Sequence, residues 1–174
     1  RLAGQGHVSV LDGGLSHWSA QGFPVTDTLP EPSTSHYPVH FEQDRLVDVR
    51  HLKELLAAPS DTVLLDARGP ERFRGEVEPI DRVAGHVPGA SNRPYASNLS
   101  EGRFKPAPQL AQEFAALLGG RDPRQVIAMC GSGVTACHHL LAMMHAGLHG
   151  ARLFTGSWSG WIEDPARPIA TGAD

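Results

Sequence analysis

The stretch Gln125-Val126-Ile127-Ala128-Met129-Cys130-Gly131-Ser132-Gly133 constrains this chain more than any other. Residues Gln125–Met129 form a short apolar, β-prone run, and Val134 to His145 then reads as a helix, so the segment is a buried strand that delivers a cysteine into a glycine-rich loop at a helix mouth. Similar alternation recurs elsewhere. Asp48 can cap a helix carrying Leu52, Leu55 and Leu56; Pro59-Ser60-Asp61 stops it, and Thr62-Val63-Leu64-Leu65 follows as a strand. Pro108 can open a helix with Leu110, Phe114, Leu117 and Leu118 on one face, ended by Gly119-Gly120, and a last short strand lies around Arg152-Leu153-Phe154. Strands alternating with helices predict an α/β fold, a parallel sheet of about four or five strands with helices on both faces.

The beginning of the chain reads differently. Val8 to Leu11 is β-prone, Asp12-Gly13-Gly14 turns, and Leu15, Trp18 and Phe23 mark the apolar side of a helical piece. Residues 27–38 are proline-rich and poor in apolar side chains, which predicts an extended connector. With no initiator methionine and an apolar run near its start, the sequence is expected to be cut from a longer protein. Its 174 residues are enough for one good core, with a second full domain cramped.

Composition excludes several functions. No apolar run approaches the ~20 residues of a membrane helix, and a formal net charge of -4 offers no overall positive field for nucleic acid. The two cysteines, Cys130 and Cys137, make no disulfide framework, and no signal-peptide pattern opens the chain, so a cytoplasmic location is expected. A small-molecule substrate fits these bounds.

The loop after Cys130 carries the chemistry. Gly131 and Gly133 can take backbone angles closed to other residues, so successive N–H groups can turn inward as an anion-binding nest, and the following helix adds unpaired amides at the same place. A thiolate or persulfide anion would be stabilised there, which makes Cys130 a nucleophile candidate; Ser132 and Thr135 can add hydroxyls. A buried core thiol is the bland alternative, but a core cysteine needs no flanking glycines. A cysteine phosphatase would place an arginine six residues after the nucleophile, where this chain has Ala136. Cys137, His138, His139, His145 and His149 crowd one region, yet adjacent histidines point about 100° apart around a helix and there is no Cys-x-x-Cys pair, so packed or solvated histidines are expected rather than a metal.

Residues 130–137, CGSGVTAC, resemble the active-site loop of the rhodanese superfamily, specifically of its mercaptopyruvate sulfurtransferases. The stretch LLDARGPERFRGEVEPIDRVAGHVPGA resembles the signature of their C-terminal catalytic domain, GSWSGW resembles their closing motif, and the similarity runs from about Val47 to Gly172. VSVLDGGLSHW followed by GFP resembles the end of their N-terminal domain. The resemblance implies a rhodanese-like fold in which residues 1–26 are the tail of a preceding, inactive-type domain, 27–40 a linker and 41–174 the catalytic domain. It implies sulfur transfer from 3-mercaptopyruvate or thiosulfate through a Cys130 persulfide to cyanide, a small thiol or a thioredoxin-like protein, with no metal or organic cofactor. Cys130 and Ser132 are then the catalytic positions, and Arg72, Arg82, Gly131, Gly133, Val134 and Thr135 the substrate-binding ones. The neutral loop favours mercaptopyruvate, because thiosulfate users place basic residues after the nucleophile. His86, in GHVPG, is expected to be a structural turn residue, and the family's Asp and His that assist proton transfer fall in the absent N-terminal domain. Two rivals stay open: a thiosulfate-specific rhodanese, and a weakly active fragment serving as a sulfur carrier or binding module.

Overall fold

The computed structural model describes residues 2–57 and 61–173, so Pro59 and Ser60 of the expected helix stop lie outside the described residues. Five parallel strands form one sheet in the order β1-β7-β6-β2-β3: β1 is Leu46–Val47, β2 Val63–Asp66, β3 Ala90–Asn92, β6 Val126–Met129 and β7 Arg152–Phe154. Of the three inner strands, β2 and β6 are buried at every position, as their near-continuous apolar character requires when helices cover both faces.

Period-two alternation divides the core. Leu64, Ile127 and Met129 face a layer with Val47, Leu52, Phe73, Phe154, Trp158 and Trp161, supplied largely by helices α2 (Val49–Ala57), α3 (Pro70–Phe73) and α6 (Ser157–Trp161). Val63, Leu65 and Val126 face Leu110, Phe114, Leu118, Ala142 and Met143, from α4 (Ala107–Leu118) and α5 (Ala136–His145). Local signals behave as the residues dictate. Asp48 accepts a hydrogen bond from the His51 amide at 2.8 Å and so caps α2, while Gly119 ends α4 in the left-handed region at φ 58°.

Other expectations change. Pro70 opens the one-turn helix α3, which the sequence reading did not foresee. β1 and β3 are two and three residues long, too short for a periodic signal. A small antiparallel ribbon, β4 (Leu99–Ser100) with β5 (Arg103–Phe104), turns through Glu101 and Gly102, both at positive φ, the geometry that suits a two-residue hairpin. Val8 to Leu11 forms no strand, since no strand among the described residues offers it a ladder partner. Helix α1 (Gly14–Ala20) buries none of its residues. The segment is tethered instead by Asp12, which accepts from the Phe104 amide and from Arg103 Nε, each at 3.0 Å.

In α5, His139 is buried and His138 partly buried while His145 is exposed, and among the described residues no group of histidine, cysteine and carboxylate side chains is placed to hold a metal. His139 is fully buried, with Nε2 2.6 Å from the Arg93 carbonyl and Nδ1 2.9 Å from the Asn98 amide nitrogen, which selects the neutral tautomer protonated at Nε2. His138 stacks on Phe104 at 4.6 Å. Burial, reinforced by the nearby Arg93 charge, pushes the His139 pKa down to about 4. The unfolded chain therefore binds a proton that the folded chain refuses, and stability present above pH ~6.5 is lost as pH falls toward ~4, by about 3 kcal/mol at the limit. Burial also lowers the His138 pKa, in the same direction. Thermal melts at pH 7 and pH 5 should show a marked fall in Tm for the native chain and a smaller fall for His139→Gln; equal falls would refute the assignment.

Candidate active site

Three loops leave the carboxyl ends of the neighbouring strands β7, β6 and β2, the side on which open parallel sheets bind ligands. Cys130 follows β6 directly; Arg72 sits in α3 after β2, and Ser157 to Ser159 follow β7. The β7 loop is laced to the cysteine loop: the Trp158 amide donates to the Cys130 carbonyl at 3.0 Å and the Ser159 amide to the Gly131 carbonyl at 2.9 Å.

Cys130 is 2 % exposed and packs in a core cluster with Ala67, Ala128 and Ala136, so the strand end is deep in the fold. Its sulfur is nevertheless not simply a core thiol, because the Gly133 amide donates to Sγ at 3.1 Å. Gly133 is at φ 86°, and a Cβ there would come within 3.1 Å of the Thr155 carbonyl, so both conformation and space demand glycine. Amides of Ser132, Val134 and Thr135 have no acceptor among the described residues and lie where α5 begins. Gly131 differs from the expectation. Its φ is not positive, and a Cβ would meet the Arg72 guanidinium at an ordinary 3.7 Å, so neither strain nor crowding explains that glycine.

A cavity of about 190 Å³ opens onto the nucleophile. Cys130, Gly131, Ser132, Val134 and Thr135 form one side; Arg72, Ile80, Asp81 and Ser159 form the other. It is smaller than the usual drug-sized pocket and suits a few heavy atoms. A larger depression, about 750 Å³, is lined by Asp44, Arg124, Met144 and Arg152 among others, at the opposite ends of the strands, and contains no cysteine, serine or threonine.

The Arg72 guanidinium is tightly held. Nε donates to both Glu78 carboxylate oxygens at 3.1 Å, and Nη2 to Glu78 at 2.6 Å and Asp81 at 3.3 Å. Burial raises the Glu78 pKa, but hydrogen bonds from Arg72 and from the Asp81 and Ile80 amides outweigh it and hold the carboxyl below its ordinary value. Nη1 has no protein acceptor among the described residues and remains able to bind a ligand anion.

Arg82 is not among the residues lining this cavity: its Nη2 donates to the Ile162 carbonyl, while the adjacent Asp81 pairs with Arg72. His86 is buried, stacked on Phe73 at 3.7 Å with Nδ1 2.7 Å from the Phe73 carbonyl, in keeping with a structural role. Cys137 points its sulfur at the Gly133 carbonyl at 3.5 Å; burial, then the Cys130 sulfur, raises its pKa.

Sequence reasoning missed Ser157, Ser159, Glu78 and Asp81. Ser157 Oγ accepts from the Cys130 amide at 3.2 Å and donates to the Phe154 carbonyl at 3.0 Å, at an unusual φ of 50°. The GSWSGW motif contained both serines but gave no sign of which atoms they would meet.

Comparison with known proteins agrees with this geometry. Residues 48–164 match the rhodanese-like domain. The chain is 49 % identical over 95 % of its length to a probable 3-mercaptopyruvate sulfurtransferase of Pseudomonas aeruginosa, covering 58 % of that protein. It is 39 % identical over 98 % of its length to a putative thiosulfate sulfurtransferase of Mycobacterium tuberculosis, covering 60 %, and 34 % identical over 92 % to human 3-mercaptopyruvate sulfurtransferase, covering 54 %. It thus spans less than two thirds of these relatives. A solved anaerobic ergothioneine biosynthesis enzyme from Chlorobium limicola shares the fold, with TM-score 0.85 and 23 % identity over 99 % of this chain and 43 % of that one. The cysteine at a strand-to-helix loop, the five-stranded parallel sheet and these matches agree: the chain belongs to the rhodanese-like domain family.

Proposed function

We propose that this domain transfers sulfane sulfur from 3-mercaptopyruvate to a thiophilic acceptor through a persulfide on Cys130. The observation that carries this reading is the Gly133 amide directed at Sγ in a small cavity that also holds a guanidinium. The relatives' names support the reaction class. The Cys130 thiolate attacks the donor sulfur; an S–S bond forms, the C–S bond breaks, and the electron pair leaves on the enolate of pyruvate, which takes up a proton. An acceptor thiolate or cyanide then attacks the outer sulfur and restores the Cys130 thiolate. Neither step needs an external oxidant, a metal or an organic cofactor.

Each residue has a defined task. Amides at 133–135 and the Ser132 and Thr135 hydroxyls stabilise the anionic sulfur, Gly131 and Val134 shape the cavity wall, and Arg72 binds the donor carboxylate through its Nη1 edge. Thiosulfate remains the second donor, supported by the M. tuberculosis relative's name. Cyanide, a small thiol or a thioredoxin-like protein is the proposed acceptor.

We read residues 1–26 as the end of a preceding homologous domain, 27–40 as the linker and 41–174 as the catalytic domain. Exposed Val10, Leu11, Leu15 and Val25, in a region whose helix buries nothing, support that division. A preceding domain of that kind would supply further groups to the cleft. Among the described residues no helix is long and apolar enough to cross a membrane; a cytoplasmic setting is part of the proposal.

Treatment with mercaptopyruvate followed by mass spectrometry should show one added sulfur on the peptide containing Cys130, absent in Cys130→Ser. Labelling elsewhere, or equal cyanide-dependent turnover in both proteins, would refute the mechanism. Gly133→Ala should slow persulfide formation by at least about tenfold, because the left-handed backbone costs an L-residue roughly 1–2 kcal/mol and the loop must move to relieve it. An unchanged rate would show that the amide contributes nothing.

A further inference from the structure

Asp81 belongs to a connected line of charges: Asp66 pairs with Arg68 at 2.8 Å, Arg68 with Glu78 at 3.4 Å, Glu78 with Arg72 at 2.6 Å, and Arg72 with Asp81 at 3.3 Å. Two guanidinium groups thus meet three carboxylates, and the line carries one net negative charge. Asp66 is sealed in the core, whereas Asp81 ends the line at the cavity. Arg82, the adjacent cation, is committed to the Ile162 carbonyl and does not compensate it.

The Asp81 carboxylate is also fixed from the nucleophile's side. Ser159 Oγ lies 2.8 Å from Asp81 Oδ1 and 2.9 Å from the Gly131 carbonyl. A hydroxyl has one proton, and the Gly131 carbonyl already accepts from the Ser159 amide, so the charged carboxylate has the stronger claim. Asp81 is thereby held in the cavity lining beside Gly131, in a site to which the Gly131-Ser132-Gly133 loop contributes no positive side chain.

We propose that Asp81 is a specificity-determining residue: its fixed carboxylate gives the pocket a negative bias that tolerates a donor carrying one negative charge and penalises dianionic thiosulfate. The inference rests on the sulfurtransferase reading and deepens it. Arg72 Nη1 offers a single charge-assisted edge, enough to hold one donor carboxylate, in a line whose net charge is already negative. A second negative charge within a few ångströms of Asp81 meets repulsion that the partly buried cavity screens poorly.

The test separates binding from turnover. Thiosulfate and pyruvate affinities are measured by NMR titration on Cys130→Ser protein, which cannot form the persulfide, with and without Asp81→Asn. Asp81→Asn should improve thiosulfate binding relative to pyruvate by about tenfold. In the Cys130-containing protein, with cyanide as acceptor, it should raise the thiosulfate-to-mercaptopyruvate ratio of kcat/KM similarly and flatten the ionic-strength dependence of the thiosulfate rate. Asp81→Glu, which keeps the charge, should retain the native preference. An unchanged binding ratio in Asp81→Asn overturns the inference, as does a parallel loss of both activities at a constant ratio. Absence of sulfur transfer by the native chain with either donor overturns the functional reading instead, and the binding ratio still decides the role of Asp81.

Discussion

A single amide-to-sulfur hydrogen bond, from Gly133 to Cys130, depends on much of what surrounds it and gives the site its chemistry. It needs a left-handed residue three positions after the cysteine, hence a glycine; it needs the cysteine carbonyl and the Gly131 carbonyl pinned to the β7 loop; and it needs the Cys130 amide satisfied by Ser157. The last two requirements are met by the loop that follows the neighbouring strand β7. Adjacent parallel strands end at the same edge, so loops far apart in sequence can share one small volume.

Electrostatics around that volume are arranged in two halves. On the helix side the charge is partial, from amides without acceptors among the described residues just before α5. On the opposite side it is formal, from Arg72 clamped by Glu78 and Asp81. The clamp restricts the guanidinium to one orientation before a ligand arrives, which lowers the entropy lost on binding. It also limits how much negative charge the cavity can accept. The buried Asp66–Arg68 pair beneath the clamp is well satisfied: Arg68 reaches the Gly85 carbonyl at 2.7 Å and lies 4.8 Å from the Trp158 ring centre, so breaking it would strand a charge in the core.

Much of this was legible in residues. The strands at 63–66 and 126–129 announced themselves because full burial demands continuous apolar character, and Cys130 because glycines flank it where strand meets helix. Asp48 and Gly119 act as their types suggest. What was not legible depends on distance in space. Nothing in GSWSGW says that Ser157 meets the Cys130 amide 27 positions away, and nothing in the EPIDR run says that Asp81 turns inward and Arg82 outward. The apolar run at Val8 to Leu11 misled for the same reason, since a strand is a property of two segments and no strand among the described residues pairs with this one.

The most direct measurement is the amide NMR spectrum of the ¹⁵N-labelled protein before and after conversion of Cys130 to its persulfide. If the loop amides hold the sulfur anion, the largest changes fall on Gly133, Val134 and Thr135, and they reverse when cyanide removes the sulfur. Persulfidation that leaves those three resonances in place while shifting others would contradict the account.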